Sequence, residues 1–386
     1  MSKLQPIWNP VRSLAPTPSL NAMHDQRTVA QRLHLDIPLL LGLLSLSGIG
    51  LAVLYSAGGQ DTDLLMRQGV RLAAAFTAMF VLAQVPPRHL FYWTPWLYAV
   101  GIALLVAVLL FGDVAQGAQR WIRVGPLNFQ PSEMLKIIVP MMVAWYLGDR
   151  TLPPSFLRVL VAGFLVAVPT LLIARQPDLG TALLIACSGV FVLLLSGISM
   201  RLITACAILA SAGAPVLWYL MHDYQRQRVL TFLDPEQDPL GAGYHIIQSK
   251  IAIGSGGSFG KGWLNGTQSQ LDFLPERSTD FIFAVFSEEF GLWGVLTLVA
   301  IYLAVVFRGL YIASQGQDTY ARLLAGSLIL TFFVYVFVNI GMVSGLLPVV
   351  GLPLPLLSYG GTSLVTVMAA FGILMSVHTH RRLISE

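Results

Sequence analysis

Long apolar segments alternate with short polar ones along most of this chain. About ten segments are long enough, or nearly long enough, to cross the hydrocarbon core of a bilayer as helices. They cover residues 36–55, 68–84, 91–111, 132–147, 156–173, 179–195, 200–221, 280–307, 323–343 and 359–378. The runs lack the two-residue alternation of a membrane-spanning barrel. The pattern therefore predicts an all-α polytopic integral membrane protein with about ten transmembrane helices.

Composition supports this prediction. Hydrophobic residues make up 55% of the 386 residues and charged residues only 11%, whereas a soluble domain has about 25% charged residues. No basic run is interleaved with aromatic residues, so the net charge of +4 does not predict a nucleic-acid partner.

Basic residues in the short loops set the predicted orientation. Residues 1–35 are polar, mildly basic and unlike a secretory signal, so they are expected to form a flexible cytoplasmic tail. Residues 36–386 then form a single transmembrane domain, and an even number of spans puts the basic ending at 380–382 on the cytoplasmic side too. The long segment 222–279, before the eighth helix, is expected to be extracytoplasmic.

That long segment is rich in charge. Its basic residues are Arg226, Arg228, Lys250, Lys261 and Arg277. Long loops translocate regardless of charge, so one interpretation is a solvated loop. The other is a cationic site for an anionic lipid headgroup, because so long a connection is seldom passive. The Gly-rich run at 254–262 lacks the spacing of a P-loop and is interpreted as a flexible or tightly turned loop.

Ionisable residues are expected at membrane depth near the same face. Asp280 stands where the loop becomes the eighth helix, and Glu133 and Lys136 are spaced to touch on one face at the start of the fourth span. A charge inside the hydrocarbon is costly unless it has a partner or faces a cavity. Glu133 and Lys136 are either a packing pair or, as we favour, the polar wall of a substrate cavity.

Other segments are placed to line the same cavity. Asp178 begins the sixth span, either as a helix N-cap or as a second carboxylate of the site. The Pro- and Gly-dense segment 345–362 cannot sustain a regular helix, and such backbone is tolerated at membrane depth where it lines protein or water. Ser358 would then offer its hydroxyl to the cavity. Glu288 and Glu289 are expected to serve structure or proton balance.

Several motifs in a fixed order give the chain a close resemblance to the SEDS proteins (shape, elongation, division and sporulation), on the RodA rather than the FtsW side. They are Gly-Ala-Gln-Arg-Trp at 117–121, Phe-Gln-Pro-Ser-Glu at 129–133, Gln-Pro-Asp-Leu-Gly-Thr at 176–181, Tyr-Gln-Arg-Gln-Arg-Val at 224–229, Phe-Leu-Pro-Glu-Arg at 273–277, Thr-Asp-Phe-Ile-Phe at 279–283 and Pro-Leu-Pro-Leu-Leu-Ser-Tyr-Gly-Gly at 353–361. The resemblance runs from about residue 35 to the C-terminus.

The resemblance implies a peptidoglycan glycosyltransferase that polymerises lipid II at the outer face of the bacterial cytoplasmic membrane during elongation. It implies that Asp280 is the essential acidic residue. The substrate-binding candidates are Arg123, Gln130, Glu133, Lys136, Asp178, Arg226, Arg228, Lys250, Lys261, Glu276, Arg277 and Ser358. Many relatives have His where this chain has Ser278, so a His proton relay is not available at that position.

The implied reaction turns an α-linked donor into a β-linked glycan and therefore inverts the anomeric centre. A single displacement needs a general base and stabilisation of the leaving pyrophosphate, but no covalent nucleophile. We expect Asp280 to be the base, with a half-buried position raising its pKa toward useful values. A basic residue of the outer segment would offset the pyrophosphate charge. A divalent cation, Mg²⁺ or Mn²⁺, could share that work, although the sequence shows no ligand cluster.

The resemblance also implies partners. They are lipid II and undecaprenyl-pyrophosphate-linked glycan, a class B penicillin-binding transpeptidase, and other membrane proteins of the elongation machinery. A lipid II flippase is the leading alternative, because intramembrane acids and broken helices also occur in transporters. The sequence shows no internal repeat, and its motifs cluster on one side rather than at the midplane. A scaffold would leave Asp280, Glu133 and Lys136 without a reason to lie in the membrane.

Overall fold

The computed structural model describes residues 33–115, 118–124, 127–220, 223–237, 243–271, 273–274 and 276–380. Residues 1–32, most of the predicted tail, lie outside these ranges. Within them the helices are α1 (Ile37–Ala57), α2 (Thr62–Ala83), α3 (Pro87–Phe111), α4 (Pro131–Gly148), α5 (Phe156–Arg175), α6 (Leu179–Leu195), α7 (Met200–Leu220), α8 (Asp223–Leu233), α9 (Tyr244–Ser255), α10 (Thr267–Gln270), α11 (Ile282–Ser314), α12 (Thr319–Val343) and α13 (Thr362–Thr379). A single 3-10 turn, Pro235–Gln237, follows α8.

Each of the ten predicted spans coincides with a helix, namely α1 to α7 and α11 to α13. Among the described residues, seven of these helices are long and apolar enough to cross a membrane, and α6 is a shorter apolar helix. The prediction of an all-α polytopic membrane protein is confirmed. Three short antiparallel strands, which the sequence did not predict, lie between α3 and α4: β1 (Asp113–Ala115), β2 (Ala118–Val124) and β3 (Leu127–Phe129).

Local sequence determines where several spans begin. Asp36 caps α1 by accepting a hydrogen bond from the backbone N–H of Leu39 at 3.0 Å, and Asp61 caps α2 in the same way through Asp63 at 2.8 Å. Pro131 occupies the first turn of α4, where the missing N–H of proline has no intrahelical partner to lose. These caps satisfy N–H groups that would otherwise be orphaned at the helix ends.

Helix α12 lies at the centre of the bundle. It packs against α4 and α6 on one side and against α11 and α13 on the other, while α13 also packs on α2 and α11 on α1. Two hydrophobic clusters, one on each side, both include residues of α12. An apolar helix that is buried on most of its surface is typical of the core of a large membrane bundle. The two sides therefore meet along α12.

The two ends of the described chain lie together at one end of the bundle. The rings of His34 and His380 stack with centroids 4.0 Å apart. Asp36 contacts His378 Nδ1 at 2.8 Å and Arg308 Nη2 at 2.6 Å. This buried ion pair fastens the start of α1 to α11.

Helix α11 is broken at Gly291, where the Gly-rich run 254–262 forms backbone hydrogen bonds with it. At Gly291 the helix takes a non-helical conformation with φ 63° and ψ −164°, so two helical hydrogen bonds between residues 288–289 and 292–293 are lost. Four bonds with the Gly-rich run replace them: Lys261 N to Glu288 O at 3.0 Å, Gly262 N to Glu289 O at 3.0 Å, Leu292 N to Gly257 O at 3.0 Å and Trp293 N to Ser258 O at 3.2 Å. The tight-turn interpretation of 254–262 agrees with this arrangement.

The two glutamates beside the break hold the same run. Glu288, which is fully buried, accepts hydrogen bonds from Lys261 Nζ at 2.7 Å and from Thr267 Oγ1 at 3.0 Å. Glu289 accepts a hydrogen bond from the hydroxyl of Ser56 in α1. Backbone N–H and C=O groups at membrane depth need hydrogen-bond partners from the protein. The Gly-rich run supplies those partners at the break in α11, and the Glu288 carboxylate holds that run in place. The predicted structural role of the two glutamates fits these contacts.

Replacing Gly260 by Ala is expected to destabilise the protein. Gly260 has φ 78°, and a Cβ there would stand 2.1 Å from the carbonyl oxygen of Glu289. The strained φ and the overlap together cost about 2 kcal/mol or more, which a lower thermal unfolding temperature in detergent would report. Gly254→Ala is the matched control, because nothing lies within 4 Å of its added Cβ. Equal unfolding temperatures for the two variants would contradict this role of Gly260.

Candidate active site

A polar region lies at one end of the helix bundle, and residues 34 and 380 lie at the other end. The starts of α4, α6, α11 and α13 and the end of α12 meet in the polar region, and the non-helical segment 344–361 crosses between α12 and α13. The sequence predicted that this segment would not be helical. It packs against the turn that precedes α11, because Tyr359 N donates to Ser278 O at 2.8 Å.

Asp280 lies in that turn and is partly exposed. Its Oδ2 is 3.5 Å from the position that a Cβ on Gly351 would occupy. Gly351 has φ 73°, a conformation that favours glycine. Gly351 therefore places backbone and no side chain next to the Asp280 carboxylate.

Glu133 and Lys136 form a buried ion pair. Lys136 Nζ lies 2.7 Å from Glu133 Oε1, and their side chains are only 6% and 8% exposed. Lys136 also donates to the hydroxyl of Tyr335 at 3.1 Å. The second carboxylate oxygen of Glu133 is buried and has no partner among the described residues. A cavity of about 40 Å³, lined mainly by apolar residues of α12 and α13, lies beside these groups.

Asp178 caps α6 and also makes a side-chain contact outside its own helix. Its Oδ1 accepts from Thr181 N at 3.2 Å, as an N-cap does, while Oδ2 accepts from Gln130 Nε2 at 3.2 Å. The guanidinium of Arg120 lies 3.8 Å from the same Oδ2. The Asp178 carboxylate thus belongs to a polar group built from α6, α4 and β2.

Backbone contacts join these groups to Asp280. A Cβ on Gly180 would stand 2.9 Å from the carbonyl oxygen of Val350, the neighbour of Gly351. Tyr335 lies one helical turn, about 6 Å, before Asn339 on α12. Asn339 Nδ2 donates to the backbone oxygen of Asp280 at 3.0 Å. The structure therefore brings Asp280, Glu133, Lys136, Asp178 and Gln130 to one region.

The other predicted site residues have different surroundings. Arg226 donates to the carbonyl oxygens of Trp218 and Tyr219 at the end of α7, and Lys261 is paired with Glu288. Arg277 donates to the carbonyl oxygen of Ser269. The side chains of Arg123 and Arg228 lie outside the described part of the structure. The proximity of these cations to Asp280 therefore stays a prediction.

Three more predicted residues flank the site through local contacts. Lys250 in α9 lies over Gly345, at the end of α12, with Nζ 2.9 Å from the position of an added Cβ. Glu276 accepts from Thr279 Oγ1 at 2.8 Å within the turn. The Ser358 hydroxyl donates to the carbonyl oxygen of Thr279 at 2.6 Å and accepts from Leu354 N at 2.7 Å. Ser358 therefore uses its hydroxyl to hold the backbone of the turn.

Sequence reasoning missed several side chains of this region. Tyr335 and Asn339 continue a polar row, spaced by four residues, on the otherwise apolar α12: Ser327, Thr331, Tyr335 and Asn339. That spacing places them on one helix face and was a signal available in the sequence.

His245 was also missed, and its ring stacks on Phe281 with centroids 5.7 Å apart. Burial lowers the pKa of its imidazole, and the nearby Glu276 opposes that shift. Its position beside Asp280 comes from tertiary packing between α9 and the start of α11, and no local pattern in the sequence predicts that contact.

A metal ion finds no ready set of ligands in these residues. Across the described part of the chain, no group of three or more His, Cys, Asp or Glu side chains is placed to hold one. A divalent cation at Asp280 would need oxygen ligands from its substrate as well.

The fold and the site define a polytopic membrane protein with a polar site at one end of its helix bundle. The family model for the FtsW, RodA and SpoVE proteins, described as "cell cycle protein", matches residues 31–383. This chain belongs to that family, the SEDS proteins.

Individual relatives agree with this assignment. The chain is 57% identical to the "Peptidoglycan glycosyltransferase MrdB" of Escherichia coli K12, over 94% of this chain and 98% of that protein. It is 33% identical to a solved chain from a peptidoglycan synthase complex, with a TM-score of 0.79 and coverage of 90% and 99% of the two chains. For the rod shape determining protein RodA of Thermus thermophilus the identity is 29%, the TM-score 0.68 and the coverage 89% and 96%. The predicted SEDS family, on its RodA side, is confirmed.

Proposed function

We propose that this protein is a peptidoglycan glycosyltransferase that polymerises lipid II at the outer face of the bacterial cytoplasmic membrane during cell elongation. The name of its 57% identical relative supports the activity. The observation that carries the proposal is the position of Asp280, whose carboxylate lies next to Gly351 in the same polar region as the buried Glu133–Lys136 pair.

In the proposed reaction, Asp280 takes the proton of the acceptor hydroxyl as that oxygen attacks the anomeric carbon of the donor. The bond from this carbon to the pyrophosphate oxygen breaks, and undecaprenyl pyrophosphate leaves with the electron pair. This single displacement inverts the anomeric centre and needs no covalent intermediate. A positioned general base contributes about 10²–10⁴-fold to such a step.

In this proposal, two cations at the site side of the bundle offset the negative charge of the substrate. Lys136 is fixed by Glu133 and Tyr335, and Arg120 lies beside Asp178. Preorganised cations stabilise a developing pyrophosphate charge without having to move during the reaction. The unpaired oxygen of Glu133 offers an acceptor for a substrate N–H or O–H group.

The proposed orientation places both termini in the cytoplasm and the site outside. It follows from the basic residues of the short loops. It is compatible with the structure, in which the two described ends of the chain lie at one end of the bundle and the polar site lies at the other. The proposed partner is a class B penicillin-binding transpeptidase, together with other membrane proteins of the elongation machinery. A similar chain occurs in a synthase complex that coordinates polymerization and crosslinking, which supports a partner of that kind.

Polymerisation of purified lipid II by the partner-bound protein tests this proposal. We expect glycan chains, separated on a gel, without any transfer of lipid II between leaflets of the proteoliposome. Headgroup translocation without polymer would instead support the flippase alternative. Polymer formed only when lipid II is supplied on the cytoplasmic side of oriented vesicles would overturn the proposed sidedness.

The same assay tests the predicted divalent cation. If Mg²⁺ or Mn²⁺ shares the pyrophosphate charge, a chelator abolishes polymerisation and either ion restores it. Polymerisation that is unchanged after chelation would remove the cation from the mechanism and leave the role of Asp280 in place.

A further inference from the structure

The turn that carries Asp280 is fixed through three successive backbone carbonyls. Ser278 O accepts from Tyr359 N at 2.8 Å, Thr279 O accepts from the Ser358 hydroxyl at 2.6 Å, and Asp280 O accepts from Asn339 Nδ2 at 3.0 Å. Two of these donors belong to the non-helical segment 344–361, whereas Asn339 lies in the central helix α12. The carbonyl of Asp280 is therefore the one that is tied directly to the core of the bundle.

Asn339 makes a second bond that links two parts of the site. Its Nδ2 also donates to Leu352 O at 2.6 Å, and Leu352 follows Gly351, which lies next to the Asp280 carboxylate. Both neighbours are carbonyl oxygens, so only the NH₂ end of the amide can face them. A single side chain thus holds the backbone of Asp280 and the backbone beside Gly351 at a fixed separation.

The other end of the same amide has no partner. Asn339 is fully buried, and its Oδ1 makes no hydrogen bond within the described ranges. An unpaired buried acceptor is unfavourable. The amide therefore leaves its own oxygen unpaired while its NH₂ group satisfies two carbonyl oxygens of the site, which favours a role in holding that backbone over one in packing.

We propose that Asn339 is a positioning residue that sets the place of the Asp280 carboxylate relative to the backbone at Gly351 and Leu352. This inference rests on the proposed function of Asp280 as general base. The hydrogen bonds of Asn339 go to backbone oxygens, and we assign it no role in proton transfer. Because a displacement of about 1 Å at a reacting group can cost 10²-fold in rate, its loss should lower kcat more than it weakens substrate binding.

Two variants at this position test the inference. Asn339→Leu keeps the approximate shape and removes both donors. Asn339→Asp places an oxygen against two carbonyls, and only its protonated form can donate to one of them. The control is Ser327→Ala, three turns earlier on α12, which removes a buried bond from Ser327 Oγ to Ser188 O of 2.6 Å without touching the turn.

Lipid II polymerisation by the partner-bound variants is measured as kcat and KM, with thermal unfolding in parallel. For Asn339→Leu we expect kcat about tenfold to a hundredfold lower, a KM near that of wild type, and a folded protein whose unfolding temperature lies below that of Ser327→Ala, because two carbonyl oxygens lose their donor. For Asn339→Asp we expect the ratio of variant to wild-type kcat to rise as the pH falls from about 8 to about 6, because protonation restores a donor.

The outcomes separate this inference from the proposed function. Absence of polymer from wild type would overturn the function itself. If wild type polymerises and Asp280→Asn does not, while both Asn339 variants match Ser327→Ala in kcat at every pH, only the positioning role is overturned. Failure of both Asn339 variants to fold would likewise overturn it, since the residue would then serve stability.

Discussion

Replacing Asp280 by Asn is expected to abolish glycan polymerisation and to leave the protein folded in the membrane. Asn keeps the size of the side chain but cannot accept the proton of the acceptor hydroxyl. The loss of a general base lowers the rate by about 10²–10⁴-fold. Folding should survive, because the turn is held through the Asp280 carbonyl and its neighbours. Asp280→Ala should have the same effect on polymerisation.

The measurement compares polymer from lipid II with the amount of folded, partner-bound protein. Asp63→Asn is the matched control, since Asp63 is an exposed carboxylate in the first turn of α2, at the same end of the bundle. It should lose only a helix-dipole contribution of about 0.3–1 kcal/mol and keep full activity. Polymer at the wild-type rate from Asp280→Asn would remove Asp280 from the role of base.

The sequence predicted the parts of this fold that depend on neighbours along the chain. Apolar runs of sufficient length located each span, because a bilayer leaves helices few alternatives. The three-residue spacing of Glu133 and Lys136 predicted a contact that the structure has at 2.7 Å. The density of Pro and Gly likewise predicted that 345–362 would not be helical.

Contacts between distant residues were beyond that reasoning. Asn339 and Asp280 are 59 residues apart. The Gly-rich run contacts α11 through backbone hydrogen bonds, which no residue type or spacing in the sequence predicts. Lys261 was a candidate for the pyrophosphate because its charge was visible, whereas its buried partner Glu288 was not identifiable from spacing. Charge can be read from a sequence, but the partner of a charge depends on tertiary packing.

Replacing Lys136 by Met is expected to cost both stability and activity. The variant leaves the Glu133 carboxylate buried without its cation, and breaking a buried ion pair in this way costs about 3–5 kcal/mol. It also removes a cation that we place against the substrate. Thermal unfolding and lipid II polymerisation should therefore both fall, and the single variant cannot separate the two effects.

The double variant Glu133→Gln with Lys136→Met separates them. Neutral side chains of similar volume replace a buried pair at little cost or with a gain in stability, so the unfolding temperature should recover while polymerisation stays lost. Arg308→Met is the control for breaking a buried pair alone, because its partner Asp36 lies at the opposite end of the bundle. We expect the Arg308→Met variant to have a lower unfolding temperature but a normal polymerisation rate per folded molecule. Recovery of polymerisation together with stability in the double variant would reduce Glu133 and Lys136 to a packing pair, as the alternative interpretation holds.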